Sequence, residues 1–180
     1  MKLSTFSKKD FRKVALASAV VLGTFAASQS FAAAVNDVAT SSATVVEPIA
    51  ITKTQDMSFG EFSAGTGGTV VLTTASAASE TGDVVLTGGA ASAARFTVTG
   101  QTDASFSIGV TDNDLTHTDT TTIMTLATVH DLDGSTGDSP ASGTLALGTQ
   151  TLYVGGTLTV VANQLPGVYS GTVTATVNYN

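Results

Sequence analysis

The sequence predicts an all-β protein built as an antiparallel sandwich. Residues 33–180 are rich in Thr, Val, Gly, Ala and Ser, a composition that favours strands and tight turns. No window of a dozen residues repeats apolar side chains at helical spacing. About ten short apolar runs separated by turn residues are typical of a sandwich. We predict strands over Ala43–Lys53, Met57–Phe62, Thr69–Thr74, Asp83–Leu86, Ala94–Thr99, Ala104–Val110, Thr122–Val129, Thr144–Leu147, Thr151–Val161 and Val168–Tyr179.

Two interior runs alternate clearly enough to predict which side chains face the core. Phe106, Ile108 and Val110 share one strand face with Ala104, since successive strand residues point to opposite sides. A later run places Leu152, Val154, Leu158 and Val160 on one face. The Gly155-Gly156 pair inside it predicts a bulge or bend.

Residues 1–32 are predicted to be a secretory signal peptide. Basic residues are followed by an apolar stretch, Val14 to Ala27, and Ser30-Phe31-Ala32 supplies the small residues that precede a cleavage site. The apolar stretch is too short for a full membrane span, and no second one follows it. We therefore expect export through the inner membrane and no membrane span in the mature chain. The basic residues are Lys2, Lys8, Lys9, Arg12 and Lys13.

The mature chain divides into a short arm, residues 33–42, and one domain, residues 43–180. The arm has no Gly or Pro, and its alternate positions include the small or apolar residues Ala33, Val35 and Ala39. This pattern fits an extended strand that could lie in a groove. A disordered N-terminal tail fits the composition equally well.

Charge and cysteine content exclude several classes of function. Residues 33–180 keep two of the seven basic residues and thirteen of the fourteen acidic ones, which gives a net charge of −11. A chain this acidic does not bind nucleic acid or an anionic membrane through charge. It has no cysteine, so disulfides and thiol chemistry are absent from it.

No catalytic constellation is present, and we predict that the protein is not an enzyme and needs no cofactor. The two histidines, His117 and His130, lie in or beside polar segments without a spaced nucleophile. The best metal candidate is an acidic loop in which Asp131, Asp133 and Asp138 could supply oxygen ligands to calcium. That loop lacks a third regularly spaced ligand and a terminal Glu, so a solvated loop between strands is the alternative.

The segment from Gly167 to Asn180 alternates strictly and predicts a half-buried strand that ends with the chain. The apolar positions are Val173, Ala175, Val177 and Tyr179. A strand in this place leaves a sheet edge uncovered, and another chain can add a strand to such an edge.

Two family resemblances extend this interpretation. The penultimate Tyr179, the alternating residues before it and Gly167 resemble the C-terminal signature of chaperone–usher pilins, in particular the archaic, spore coat protein U-like branch. The stretch from Val154 to Asn180, together with Pro48–Thr54 and Phe59-Gly60, is similar to secreted bacterial β proteins known only as a domain of unknown function.

The pilin resemblance implies an immunoglobulin-like sandwich that lacks one strand and is completed by a strand donated from another subunit. On this interpretation Gly167, Val173, Ala175, Val177 and Tyr179 belong to the acceptor side. Ala33, Val35 and Ala39 belong to the donor arm. The resemblance also implies a periplasmic chaperone and an outer-membrane usher as partners. Asp37 is an awkward residue to place in an apolar groove.

The sequence thus leaves two functions open. The first is a structural subunit of a bacterial surface filament, periplasmic in transit, that polymerises with other copies of itself by donor-strand exchange. The second is a self-contained secreted sandwich that mediates adhesion through a glycan or calcium.

Overall fold

The computed structural model describes residues 34–135 and 137–180, so the predicted signal peptide and Ala33 lie outside the described residues. The predicted all-β fold is confirmed. All strand pairs are antiparallel, and the sheets curl into a half-barrel of the sandwich type. The strands are β1 (Ala50–Gln55), β2 (Glu61–Ser63), β3 (Gly68–Leu72), β4 (Ala78–Gly82), β5 (Val85–Gly88), β6 (Ala94–Thr99), β7 (Ser105–Asp112), β8 (Leu115–His117), β9 (Ile123–Asp131), β10 (Ser142–Thr144), β11 (Thr149–Val160), β12 (Tyr169–Ser170) and β13 (Val173–Tyr179), with a 3₁₀ turn at Ala146–Gly148.

Strand β11 is the central strand of the large sheet, in which the strand order is β1-β6-β11-β9-β8-β12. Along one edge, β11 pairs first with β6 and then with β3, which in turn pairs with β4. Its other edge pairs with β9 without interruption. The predicted bulge at Gly155-Gly156 is therefore wrong. A Cβ on Gly155 would lie 2.3 Å from the Leu72 carbonyl oxygen, so glycine is needed where β3 replaces β6 as the neighbour.

A three-stranded sheet, β10-β7-β13, packs against the large sheet, and β2 pairs with β5 in a separate ribbon. The core consists of the inward faces of these sheets, and the predicted inward positions of β7 and β11 are confirmed. Leu152, Val154, Leu158 and Phe106 are at most 1% exposed. Ile108 and Val110 are partly buried against the same core.

Several strand boundaries differ from the predicted ones. β1 begins at Ala50, because the preceding segment contains Pro48, which has no N–H for a ladder. Strand β4 and strand β8 were not predicted, since both are short and largely polar. The predicted C-terminal strand is split into β12 and β13 around Gly171, where a Cβ would lie 3.0 Å from the Asn113 carbonyl oxygen.

Residues 34–42 carry neither helix nor strand, and Val35 and Val38 are exposed. All the strands lie in the compact unit Ala43–Asn180. In the described part of the chain, no helix has the length and apolar character needed to cross a membrane.

Candidate strand-acceptor site

Strand β13 has the alternation that the sequence predicts. Val177 is buried, Val173, Ala175 and Tyr179 are partly buried, and the residues between them are exposed. The four apolar side chains pack on the core clusters beneath the sheets. The structure therefore places these predicted acceptor residues on one inward face.

The hydrogen bonds of β13 show which of its backbone groups point away from β7 in the plane of the sheet. The Asn113 N–H donates to the Thr172 carbonyl, and the Asn180 N–H donates to the Ser105 carbonyl. Backbone groups alternate between the two edges of a strand, so the even-numbered residues face β7. The N–H and C=O groups of Val173, Ala175, Val177 and Tyr179 consequently face the other edge. Among the described strands, β7 alone pairs with β13.

An apolar trough begins beside the first residues of β13. A cavity of about 420 Å³ lies between Lys53 and Gln55 on one wall and Thr172 and Val173 on the other. A second cavity of about 760 Å³ lies next to it and shares four of its lining residues. We use "the trough" for these two neighbouring cavities. The shared residues are Met57, Phe59, Leu115 and Tyr169.

The Tyr179 end of β13 is closed by the protein itself. The Tyr179 hydroxyl donates to the Glu47 carbonyl at 2.7 Å and accepts from the Gln101 N–H at 2.6 Å. Ile49 and Ile51 pack in the same cluster as Tyr179. The chain before β1 thus covers one end of the region between β1 and β13, and the trough opens at the other end.

The backbone of Gly167 lies very close to the ring of a buried histidine, His117. A Cβ at this position would lie 2.1 Å from Nε2 of His117, and the residue has φ +150°. The His117 ring packs on Tyr169, with 4.9 Å between the ring centroids. The Tyr169 hydroxyl donates to the Leu165 carbonyl at 2.7 Å and accepts from Gln164 at 2.9 Å. Gly167 therefore allows the segment that forms one wall of the trough to lie against β8.

Side chains, rather than a neighbouring strand, bind the backbone N–H groups on the outer edge of β9, and this distinguishes it from the edge of β13. The Leu126 N–H donates to the Asp114 carboxylate at 3.2 Å, and the Thr128 N–H donates to the Asp112 carboxylate at 2.8 Å. Further along, the His130 N–H donates to the Ser139 hydroxyl at 3.2 Å. Side-chain oxygens therefore occupy the places that the acceptors of a neighbouring strand would take.

The calcium candidate is a loop organised around a buried carboxylate. Asp131 is 1% exposed and accepts hydrogen bonds from the Thr74 hydroxyl and from the N–H groups of Gly134, Ser135 and Gly137. Asp133 accepts from the Ser135 N–H instead. In residues 34–135 and 137–180, no three His, Cys, Asp or Glu side chains form a group that could hold a metal ion. The contacts of Asp131 give it a structural role in holding this loop to the sheet.

The turn between β8 and β9 contains a carboxyl, that of Asp119, whose pKa is clearly perturbed. The N–H groups of Thr122 and Thr121 and the Thr122 hydroxyl donate to Asp119, and they hold the pKa of this carboxyl well below its usual range. His117 adds a smaller effect in the same direction. This arrangement stabilises the turn.

The sequence did not indicate most of the trough. Met57, Phe59 and Leu115 come from segments far apart in the chain, and only the fold brings them together. Lys53 is the one lining residue that the sequence could have singled out, because it is the sole lysine of residues 33–180. It lies on β1, is paired with Asp56, and lines the smaller cavity.

Comparison with known proteins places this arrangement in a family. A search of curated proteins found no match. Residues 49–179, from just before β1 to the end of β13, match the family described as "Domain of unknown function (DUF4402)". Because the match covers most of the chain, including every strand and both walls of the trough, this protein belongs to the DUF4402 family.

Proposed function

We propose that this protein is a structural subunit of a bacterial surface filament, and that its copies join when one chain adds a strand to β13 of another. The single observation that carries the proposal is the combination in β13 of an inward apolar face with an outer edge that pairs with no described strand. Such an edge is where an extended segment gains main-chain hydrogen bonds.

The trough supports this proposal because it gives an added segment somewhere to place its side chains. It starts at Val173, and Ala175, Val177 and Tyr179 do not line it, so it offers pockets to the part of an added segment that lies beside the start of β13. Backbone pairing provides affinity in strand addition, and pockets for alternate side chains provide register. Head-to-tail addition of this kind does not close on itself, so it produces a fibre.

The donor in this proposal is the N-terminal arm of a second copy. Of the predicted donor residues, Val35 and Ala39 are exposed and lie in a segment without secondary structure. They are free to adopt the strand conformation that addition requires. By the resemblance to pilins, a periplasmic chaperone and an outer-membrane usher would assist assembly at the cell surface. The role is structural rather than enzymatic.

Deletion of residues 33–42 from the mature chain tests the proposal. We expect the truncated domain to keep its melting temperature, because all strands lie beyond this segment, and to form no fibres. Electron microscopy and resistance of the polymers to SDS provide the measurement. Fibres of normal length from the truncated chain would contradict the proposal.

A further inference from the structure

The position of Lys53 suggests how an acidic arm is accepted by the trough. Residues 33–180 contain two cations, Lys53 and Arg95. The Arg95 guanidinium stacks on Tyr153, with 5.3 Å between its central carbon and the ring centroid, and Arg95 does not line the trough. Lys53 does line it, on the β1 wall opposite Val173. The only positive charge of the trough is therefore beside the start of β13.

Asp37 has the only charged side chain of the arm, whose other charge is the α-ammonium at the predicted mature N-terminus. In an extended arm, Asp37 lies on the same face as Val35 and Ala39, because side chains alternate along a strand. If those two residues enter an apolar groove, Asp37 must enter with them. Burial of an unpaired carboxylate is unfavourable, so the arm requires a cation at this position.

From these observations we propose that Asp37 of one copy forms an ion pair with Lys53 of the next copy, and that this pair sets the register of the added strand. The inference rests on the proposed function, which makes the arm of a second copy the occupant of the trough. Asp37 is the only acidic side chain of the arm, and Lys53 is the only cationic side chain among the described residues that line the trough. This complementarity selects one position of the arm along β13.

Asp56, the present partner of Lys53, does not prevent Lys53 from pairing with Asp37 of another copy. Lys53 pairs with Asp56, and their side chains are 56% and 80% exposed. An exposed pair of this kind contributes little to stability, so exchanging Asp56 for Asp37 costs little. Asp56 also lines the smaller cavity, so the side-chain charges of Lys53 and Asp56 balance there, whereas Glu61 gives the larger cavity an unbalanced negative charge. Asp37 is therefore repelled less at the end where Lys53 lies.

A charge exchange between two populations of the mature chain tests the pairing. We expect Asp37→Lys alone and Lys53→Asp alone to form SDS-resistant polymers about fivefold more slowly, because each places like charges together. An equal mixture should recover the rate of the unmodified chain, since each arm then meets a groove of opposite charge. Differently tagged variants should alternate along the polymers. Glu80→Lys on β4 is the matched control and should polymerise normally.

The results separate this inference from the function on which it rests. Unchanged rates for both single variants would overturn the pairing while the filament proposal stands. A mixture no faster than its components would overturn it as well. Failure of the unmodified chain to polymerise would overturn the filament proposal and the pairing with it. Melting temperatures close to that of the unmodified chain would exclude misfolding as the cause of slow assembly.

Discussion

Strand β13 and the part of strand β9 beyond its pairing with β8 each have one side that pairs with no described strand, but side chains occupy that side of β9 and leave that of β13 open. On β9, the Asp114 and Asp112 carboxylates accept the N–H groups of Leu126 and Thr128. On β13, the odd-numbered backbone groups meet no described strand, and a trough begins beside them. Charged caps are a known way to prevent unwanted strand pairing. If the proposed function holds, this contrast directs strand addition to β13 and blocks it at β9.

Proline substitutions compare the two edges directly, and they should give the largest effects. Ala175→Pro removes an N–H that faces the open edge, so we expect the monomer to remain folded, with a loss below about 1 kcal/mol. The same substitution should abolish polymer formation, because Pro cannot donate to an added strand. Chemical denaturation measures the stability, and electron microscopy measures assembly.

Thr128→Pro is the matched variant on β9. It removes the N–H that binds Asp112, so we expect it to lower the free energy of unfolding by about 1–3 kcal/mol. Assembly of the molecules that remain folded should continue. If both variants assembled normally, the distinction between the edges would be wrong.

Removal of the Asp112 and Asp114 carboxylates that cap the edge of β9 should have an effect of intermediate size on stability and association. In Asp112→Ala and Asp114→Ala, a partly buried N–H loses its acceptor, and we expect each variant to be less stable by about 1–3 kcal/mol. The newly bare edge should also promote disordered association, measurable by light scattering. Asp112→Asn keeps an oxygen acceptor and should retain most of the stability. An alanine variant as stable as the asparagine variant would show that the caps do not matter.

The turn at Asp119, on the capped side of the molecule, should give the smallest effect, and that effect should depend on pH. The pKa of Asp119 is lowered in the folded state, so its contribution is complete above the ordinary Asp pKa of about 4 and is lost as the pH falls through the lowered pKa. We expect Asp119→Ala to reduce the melting temperature slightly at pH 7. This difference should shrink below about pH 4. A difference that stays constant across this range would rule out the carboxylate as its cause.

Sequence patterns predicted the parts of the fold that depend on local alternation. Leu152 to Val160 and Val173 to Tyr179 have uninterrupted inward faces, and both became strands. The patterns failed where pairing partners decide the structure. Strand β4 is polar and is held by β3, with a hydrogen bond between the hydroxyls of Thr69 and Thr81.

Strand β13 itself could be predicted from the sequence, but its surroundings could not. The approach of Gly167 to His117 joins segments that are distant in the chain, and no local pattern marks it. The same is true of the carboxylate caps on β9, because Asp112 and Asp114 look like ordinary loop residues in the sequence. Long-range contacts such as these decide which edge stays open.

The central place of β11 has a consequence for the order in which the protein can fold. Strands β3, β6 and β9 all precede β11 in the chain, and each pairs with it along one of its two edges. A polypeptide that emerges from the N-terminus first cannot complete the large sheet until β11 has appeared, when only β12 and β13 remain. Such non-local pairing slows folding and leaves strands unpaired for longer. Strands β3, β6 and β9 therefore each keep one bare edge until β11 is in place.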